Sequence, residues 1–207
     1  MGRTHTYAMR IWLFLMLLSL VSCRQKQERS ILPEDCELRA GDVVFRRGGS
    51  VTSNAVLMAD RGGHYSHVGI VVDSAGVMMV VHAVPGEPEY EGDPDRVKME
   101  APSKFFSSLN ACKGEVCRAH DSIAAQRAAS VAKAIYLRGV LFDHHYDSND
   151  TTTLYCTQLV MEAYQKAGIR LTGPPTHSYD LPGLRCTCWL PSDLYHSEEL
   201  YSVRAFE

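Results

Sequence analysis

The sequence predicts one α+β domain behind an N-terminal targeting segment. Apolar residues make up 45% of the 207 residues and charged residues 22%, which is typical of a globular protein. Two strands, 67–72 and 77–84, follow each other across a short turn, as in an antiparallel hairpin. The two clearest helices, 121–137 and 159–167, come later in the chain. Because strands and helices occur in separated blocks, the class is α+β rather than α/β.

The first residues predict export. Arg3 and Arg10 precede an apolar run over residues 11–20 that only Ser19 interrupts. About ten apolar residues are too few to span a bilayer, which takes about 20. They match the apolar region of a secretory signal peptide.

The end of this run predicts a lipid anchor. Residues 20–23 read Leu-Val-Ser-Cys, which resembles the lipobox of bacterial lipoproteins, where the peptidase cuts before the cysteine and the thiol is lipidated. We therefore predict a lipoprotein signal peptide over 1–22, lipidation of Cys23 and a lipid-anchored tether over 23–37, with the folded domain over 38–207. The alternative is an ordinary signal peptide that contains a cysteine.

Charge and cysteine content limit the partners and the cross-links. The net charge is −3 and no basic stripe is present, which argues against binding to nucleic acid. The chain has seven cysteines, and an exported protein can form disulfides. Cys112 and Cys117 could close a small loop, but spacing alone leaves the connectivity open.

The domain is predicted to begin with a strand and a helix. A strand over 42–45 follows a glycine, and residues 53–59 have helical character. Thr52 or Ser53 is the predicted N-cap, since hydroxyl side chains accept bonds from the first free amides of a helix. The helix ends in a glycine-rich turn at 60–63.

A hairpin and an acidic loop follow. β-Branched residues predict strands over 67–72 and 77–84, joined through residues 73–76. Residues 85–96 hold three prolines, two glycines and many acids, so they are predicted to form a loop.

The middle of the domain is predicted to contain both helices and a strand. A short helix over 102–109 and a strand over 114–119 precede the long helix 121–137. The apolar spacing of that helix places Ile123 and Ile135 near one inward face.

The last part is predicted to be mainly helical. Residues 143–153 are polar and irregular, the helix over 159–167 stops at Gly168, and residues 190–195 form a late helical turn.

Cys156 is the candidate nucleophile. It shares an apolar face with Leu159, Val160 and Ala163, so it lies in the first turn of the helix and points inward. The helix dipole and the free amides of a first turn stabilise a thiolate and supply donors for an oxyanion. The alternative is a small buried apolar residue, which is the usual role of a free cysteine.

His67 is the candidate base and His82 its partner. If Val72 pairs with Val77, His67 lies opposite His82 on one face of the hairpin, as in a catalytic triad where a second polar group orients the base. A bulge at Gly76 would shift the register by one residue and place the histidines on opposite faces. The apolar pattern leaves both registers open because both faces look buried.

The spacing of the histidines does not favour a zinc site. Among the histidines, none forms the i,i+4 pair of a zinc protease, and two adjacent ones point to opposite sides of the chain. The side chains that could in principle surround a metal are His64, His67, His82, His144, His145 and Cys156.

Three motifs in order resemble a known family. Residues 38–45 (LRAGDVVF), 65–72 (YSHVGIVV) and 155–160 (YCTQLV) follow one another with about 90 residues between His67 and Cys156. This arrangement resembles the permuted NlpC-type papain-like amidases of the YaeF/YiiX branch. In that family the histidine strand precedes the cysteine helix, the reverse of papain.

The resemblance implies a fold and three catalytic residues. It implies a small antiparallel barrel-like sheet packed against the cysteine helix, with Cys156 as nucleophile, His67 as base and His82 as the third polar residue. Relatives often carry glutamate two residues after the cysteine, where this chain has Gln158. That difference alters a charge near the site.

The expected activity is amide hydrolysis through a thioester. Tyr65, Tyr155 and Thr157 are candidates for oxyanion or substrate binding, and neither a metal nor another cofactor is expected. The expected substrate is a cell-wall peptide or a small acyl-amino compound. The alternatives are a lipid-directed acyltransferase or esterase on the same triad, or a binding lipoprotein without turnover. The expected location is the bacterial cell envelope, with the protein anchored through Cys23 and facing the periplasm or the exterior.

Overall fold

The computed structural model describes residues 29–61, 63–181 and 184–207. The predicted signal peptide and Cys23 lie outside these residues. The described part contains a six-stranded antiparallel sheet with the strand order β4-β3-β2-β1-β5-β8 and a separate two-stranded ribbon. The strands are β1 Val43–Arg47, β2 His67–Ser74, β3 Val77–Val84, β4 Arg96–Glu100, β5 Lys113–Ala119, β6 His177–Leu181, β7 Leu184–Cys188 and β8 Leu200–Phe206.

The helices confirm the α+β class. They are α1 Val51–Ala59, α2 Pro102–Phe105, α3 Ser122–Leu137, α4 Cys156–Ala167 and α5 Pro191–Tyr195. None of the helices in the described ranges is long and apolar enough to cross a bilayer.

Alternating side chains bury both faces of the sheet. One face, which includes Phe45 and Ile70, packs against α3 and α4. The other face packs Val44 and Val71 against Phe105 of α2. Since successive residues of a strand point to opposite faces, the continuous apolar runs of β1, β2 and β3 follow from this double burial.

The turn between β2 and β3 sets the hairpin register. Ala75 and Gly76 both have positive φ, 57° and 84°, so they form a two-residue turn of the mirror-image kind. Ser74 therefore pairs directly with Val77.

This register corrects the predicted pairing and keeps the shared face. Val72 pairs with Met79, two residues away from the predicted partner Val77. A shift of two residues preserves the side-chain alternation. His67 and His82 thus lie on one face, but diagonally instead of directly opposite.

Several boundaries and faces differ from the prediction. Ser50 caps α1 and its hydroxyl accepts the amide of Ser53, so Ser53 lies inside the helix. Helix α2 ends at Phe105, four residues before the predicted end. Ile123 is 63% exposed, whereas Ile135 is buried as predicted. The buried face of α3 consists mainly of alanines, whose small side chains let the helix lie close to the sheet and α4.

Cys112 and Cys117 do not form a disulfide bond with each other. Both are free, with Cys112 exposed before β5 and Cys117 buried within it.

Candidate active site

Cys156 and His67 meet at one end of the sheet. Cys156 is the first residue of α4 and His67 the first residue of β2. Both line one cavity of about 260 Å³. The backbone N–H of Val68, next to His67, contacts the Cys156 sulfur. The structure thus brings the predicted nucleophile and the predicted base into one site.

The two predicted histidines form a buried pair. His67 Nε2 lies 2.9 Å from His82 Nδ1, and the two ring planes meet at 79°. His82 is fully buried and His67 is 8% exposed. Because His67 Nε2 faces His82, the other ring nitrogen of His67, Nδ1, remains for a different partner.

Gly69 makes room for this pair. It faces His82 across the hairpin, and a Cβ at this position would lie 2.7 Å from Val80 Cγ1 and 3.2 Å from His82 Cβ. Contacts this short force neighbouring atoms to move. The glycine of the Ser-His-Val-Gly motif therefore has a packing role beside the diagonal approach of His67 to His82.

Burial dominates the electrostatics of Cys156. Burial raises the pKa of the thiol, while the Thr157 hydroxyl, the Val68 and Thr157 amides and the Arg46 charge act to lower it. The amide at the helix start acts in the predicted direction, but the net pKa of this thiol is raised. The cause is desolvation, which disfavours the thiolate more than the nearby donors favour it.

The same burial keeps His67 neutral. Burial, then the charge of Arg46, then His82 hold the pKa of His67 well below its usual value. A neutral thiol and a neutral imidazole are therefore the resting pair near pH 7. In this state His67 can accept a proton when the sulfur attacks.

Arg46 and Phe105 enclose the histidines, and neither was singled out from the sequence. Arg46 is buried, donates to the Phe105 carbonyl oxygen at 2.8 Å and forms an ion pair with Glu87. Its guanidinium carbon lies 4.7 Å from the centre of the Phe105 ring, a cation–π contact. An arginine inside the buried strand β1 was the available signal, since buried charges need partners.

The Tyr65 hydroxyl is directed elsewhere. It donates to the carboxylate of Glu115 on β5, and Tyr65 is not among the described residues that line either cavity at Cys156. This geometry does not favour the predicted oxyanion role of Tyr65.

The other two candidates lie nearer to the sulfur. The Tyr155 hydroxyl lies 2.7 Å from the Ser148 hydroxyl and accepts the Trp189 amide at 3.0 Å, so it too is engaged away from the thiol. The Thr157 hydroxyl lies 3.7 Å from the Cys156 sulfur. The amide of Cys156, in the first turn of α4, has no acceptor within its own helix, as at any helix start.

Gln158 ties the preceding loop to α4. It is buried, and its Nε2 donates to the Asp150 carbonyl oxygen at 2.5 Å. An ionised glutamate only accepts hydrogen bonds and could not make this contact. The glutamine therefore has a structural role at the start of α4.

A second cavity also borders Cys156. It measures about 310 Å³, and apolar side chains such as Val56, Trp189 and Leu190 form most of its wall. The first cavity is more polar and contains Arg46 and Glu87. The sulfur thus lies where a polar and an apolar cavity meet.

No metal site is visible in the described part of the chain. Within it, no group of three or more His, Cys, Asp or Glu side chains is arranged to hold a metal ion.

Comparison with known proteins identifies the fold. The profile of the permuted papain-like amidase enzymes (YaeF/YiiX, C92 family) matches residues 37–203. Among solved structures, the chain is similar to metalloprotein yiiX from Escherichia coli O157:H7, with a TM-score of 0.66 and 20% sequence identity. The match covers 83% of this chain and 99% of that one, which establishes a common fold. A comparison with curated proteins finds no match.

Proposed function

Because the chain belongs to the permuted papain-like amidase family of YaeF and YiiX, we propose that it is a cysteine hydrolase cleaving an amide bond through Cys156, His67 and His82. The observation that carries the proposal is the 2.9 Å contact between His67 Nε2 and His82 Nδ1 in a site that also contains Cys156. This contact orients a neutral base beside the partly buried Cys156 thiol.

The proposed mechanism follows the two-step course of thiol hydrolases. His67 Nδ1 takes the Cys156 proton as the sulfur attacks the amide carbon, and the Cys156 amide stabilises the oxyanion. The C–N bond then breaks, and the His67 imidazolium gives its proton to the leaving amine. Water, deprotonated by His67, attacks the thioester, which releases the acid and restores the thiol.

Selective alkylation tests this assignment. The purified protein is treated with iodoacetamide near neutral pH, and the alkylated cysteines are mapped by mass spectrometry. Although burial raises the pKa of Cys156, we expect it to react faster than the exposed Cys112 because His67 accepts its proton during the attack, and we expect this advantage to disappear in His67→Ala. Equal labelling of Cys156 and Cys112 in the wild type would favour a binding protein without turnover.

Two substrate classes remain as proposals. The polar cavity with Arg46 and Glu87 suits a peptide or amino-acid-derived substrate, which we propose as the first candidate. The apolar cavity at Cys156 favours the second candidate, an acyl or lipid substrate for an esterase or acyltransferase. A panel of amides and esters with short and long acyl chains distinguishes them by kcat/KM.

We also propose that the protein is held at the bacterial cell envelope by lipid on Cys23, with the domain facing the periplasm or the exterior. The support is the sequence of residues 20–23 after an apolar run. We expect metabolic labelling with a palmitate analogue to mark the wild-type protein and not Cys23→Ala. Label retained in that variant would contradict the anchor.

A further inference from the structure

A buried carboxylate continues the line of polar groups beyond His82. Glu100, the last residue of β4, places Oε1 3.2 Å from His82 Nε2, and both side chains are almost fully buried. Within the described part of the chain neither atom has a partner in hydrogen-bond geometry, so the two face each other at ion-pair distance only. Because a buried polar atom without a partner is costly, a small rotation that lets His82 Nε2–H donate to Glu100 would satisfy both atoms at once.

Glu100 is ionised in this environment. Burial acts to raise its pKa, but the contact with His82 and the charges of Arg46 and Lys104 outweigh it, so the net pKa is lowered. Lys104 Nζ lies 3.4 Å from the second carboxylate oxygen. The group next to His82 is therefore a carboxylate that only accepts hydrogen bonds.

An acceptor at this position determines where each imidazole proton lies. A neutral His82 that donates to Glu100 carries its single proton on Nε2, and its Nδ1 is then an acceptor. His67 must then donate from Nε2 to His82 Nδ1. Its own Nδ1 is left without a proton, and this is the nitrogen that the mechanism needs as a base.

We propose that Glu100 is a positioning residue that acts through His82 to hold His67 in the tautomer whose Nδ1 accepts the Cys156 proton. The proposal rests on the proposed function and adds a fourth group to it. A histidine as third residue can exist in either of two tautomers. In this proposal the Glu100 carboxylate, on the neighbouring strand, selects the tautomer of His82 that accepts from His67.

The charges around this line are paired. From β1, Arg46 pairs with Glu87, and from β4, Lys98 pairs with Asp93. From α2, Lys104 faces Glu100 itself. We therefore expect loss of the Glu100 charge to change the tautomer populations of His67 and His82 directly.

The first test reads the tautomers in the wild-type protein. Imidazole nitrogen chemical shifts of ¹⁵N-labelled protein report which nitrogen of each ring carries the proton. We expect Nε2–H on both His67 and His82 near pH 7. A proton on Nδ1 of His67 overturns the proposal without any variant having to fold, and it does so whether or not the protein is a hydrolase.

The second test measures alkylation of Cys156 by iodoacetamide against pH in Glu100→Gln. A glutamine either accepts from His82 or donates to it, so part of the protein adopts the wrong tautomer. In a serine protease, a wrong tautomer imposed directly on the catalytic histidine lowers the rate by about 10⁴. Glu100 acts one residue further away, so we expect Glu100→Gln to lower the alkylation rate of Cys156 by roughly 10- to 100-fold and to shift its pH profile.

Glu115→Gln is the matched control. Glu115 is also a buried carboxylate, but it is held by Tyr65 and Ser202 on another part of the sheet. We expect its pH profile to match the wild type. A Glu100→Gln protein with wild-type tautomers and an unshifted profile overturns the relay, whereas a wild-type Cys156 without selective reactivity overturns the proposed function instead.

Discussion

Replacement of Cys156 by alanine is expected to lower amide hydrolysis by roughly 10⁴-fold or more, because the thioester can no longer form. The change removes one sulfur atom at a helix start and leaves the cavity in place. The measurement is kcat/KM for the best amide in the substrate panel. We expect His82→Ala to cost less than Cys156→Ala, since His82 orients the base and does not touch the substrate.

Cys117→Ala is the control for this variant. Cys117 is a second buried thiol of the same core, and burial, followed by the nearby charge of Glu115, raises its pKa to about 12. Loss of this unreactive thiol should leave kcat/KM close to the wild type. Hydrolysis that survives in Cys156→Ala at the wild-type rate would show that another group attacks the substrate. A His82→Ala protein as inactive as Cys156→Ala would contradict the positioning role.

Replacement of Phe105 by alanine is expected to reduce the free energy of unfolding by about 3–5 kcal/mol. Its ring is fully buried, with its centre 5.7 Å from that of His67 and 5.2 Å from that of His82. Arg46 packs on the same ring. The cavity left behind would remove the wall that holds these groups, so we expect a lower Cys156 alkylation rate as well. Urea unfolding followed by circular dichroism measures the stability change.

Tyr90→Ala is the comparison for an aromatic side chain that packs on little. Tyr90 is 60% exposed in the acidic loop, so we expect a change within about 0.5 kcal/mol. A loss below about 1.5 kcal/mol in Phe105→Ala would mean that the site closes around the missing ring, and that Phe105 is not the wall we describe.

Local patterns predicted much of this protein because they depend on near neighbours. The helix that starts at Cys156 and the stop at Gly168 follow from apolar spacing and from a glycine with a φ of 100°. The hairpin with His67 and His82 follows from two β-branched runs around a short turn. The register was wrong by two residues, because the left-handed conformation of Ala75 is not a property that alanine signals in a sequence.

The oxyanion candidates show the opposite case. Tyr65 and Tyr155 are close in sequence to His67 and Cys156, yet their hydroxyls bind Glu115 and Ser148. Proximity along the chain says little about the direction of a side chain. Hydroxyl groups in a core turn to whichever partner the packing supplies.

The sequence by itself determined the α+β class and the family. It also predicted the three residues of the proposed triad, because each lies in a short motif on one element. Only the tertiary structure decided what surrounds them. Arg46, Glu100 and Phe105 come from β1, β4 and α2, and no local pattern relates them to His67. Their effect on the site arises from burial, which makes every unpaired charge costly and therefore requires partners that the folded chain alone brings together.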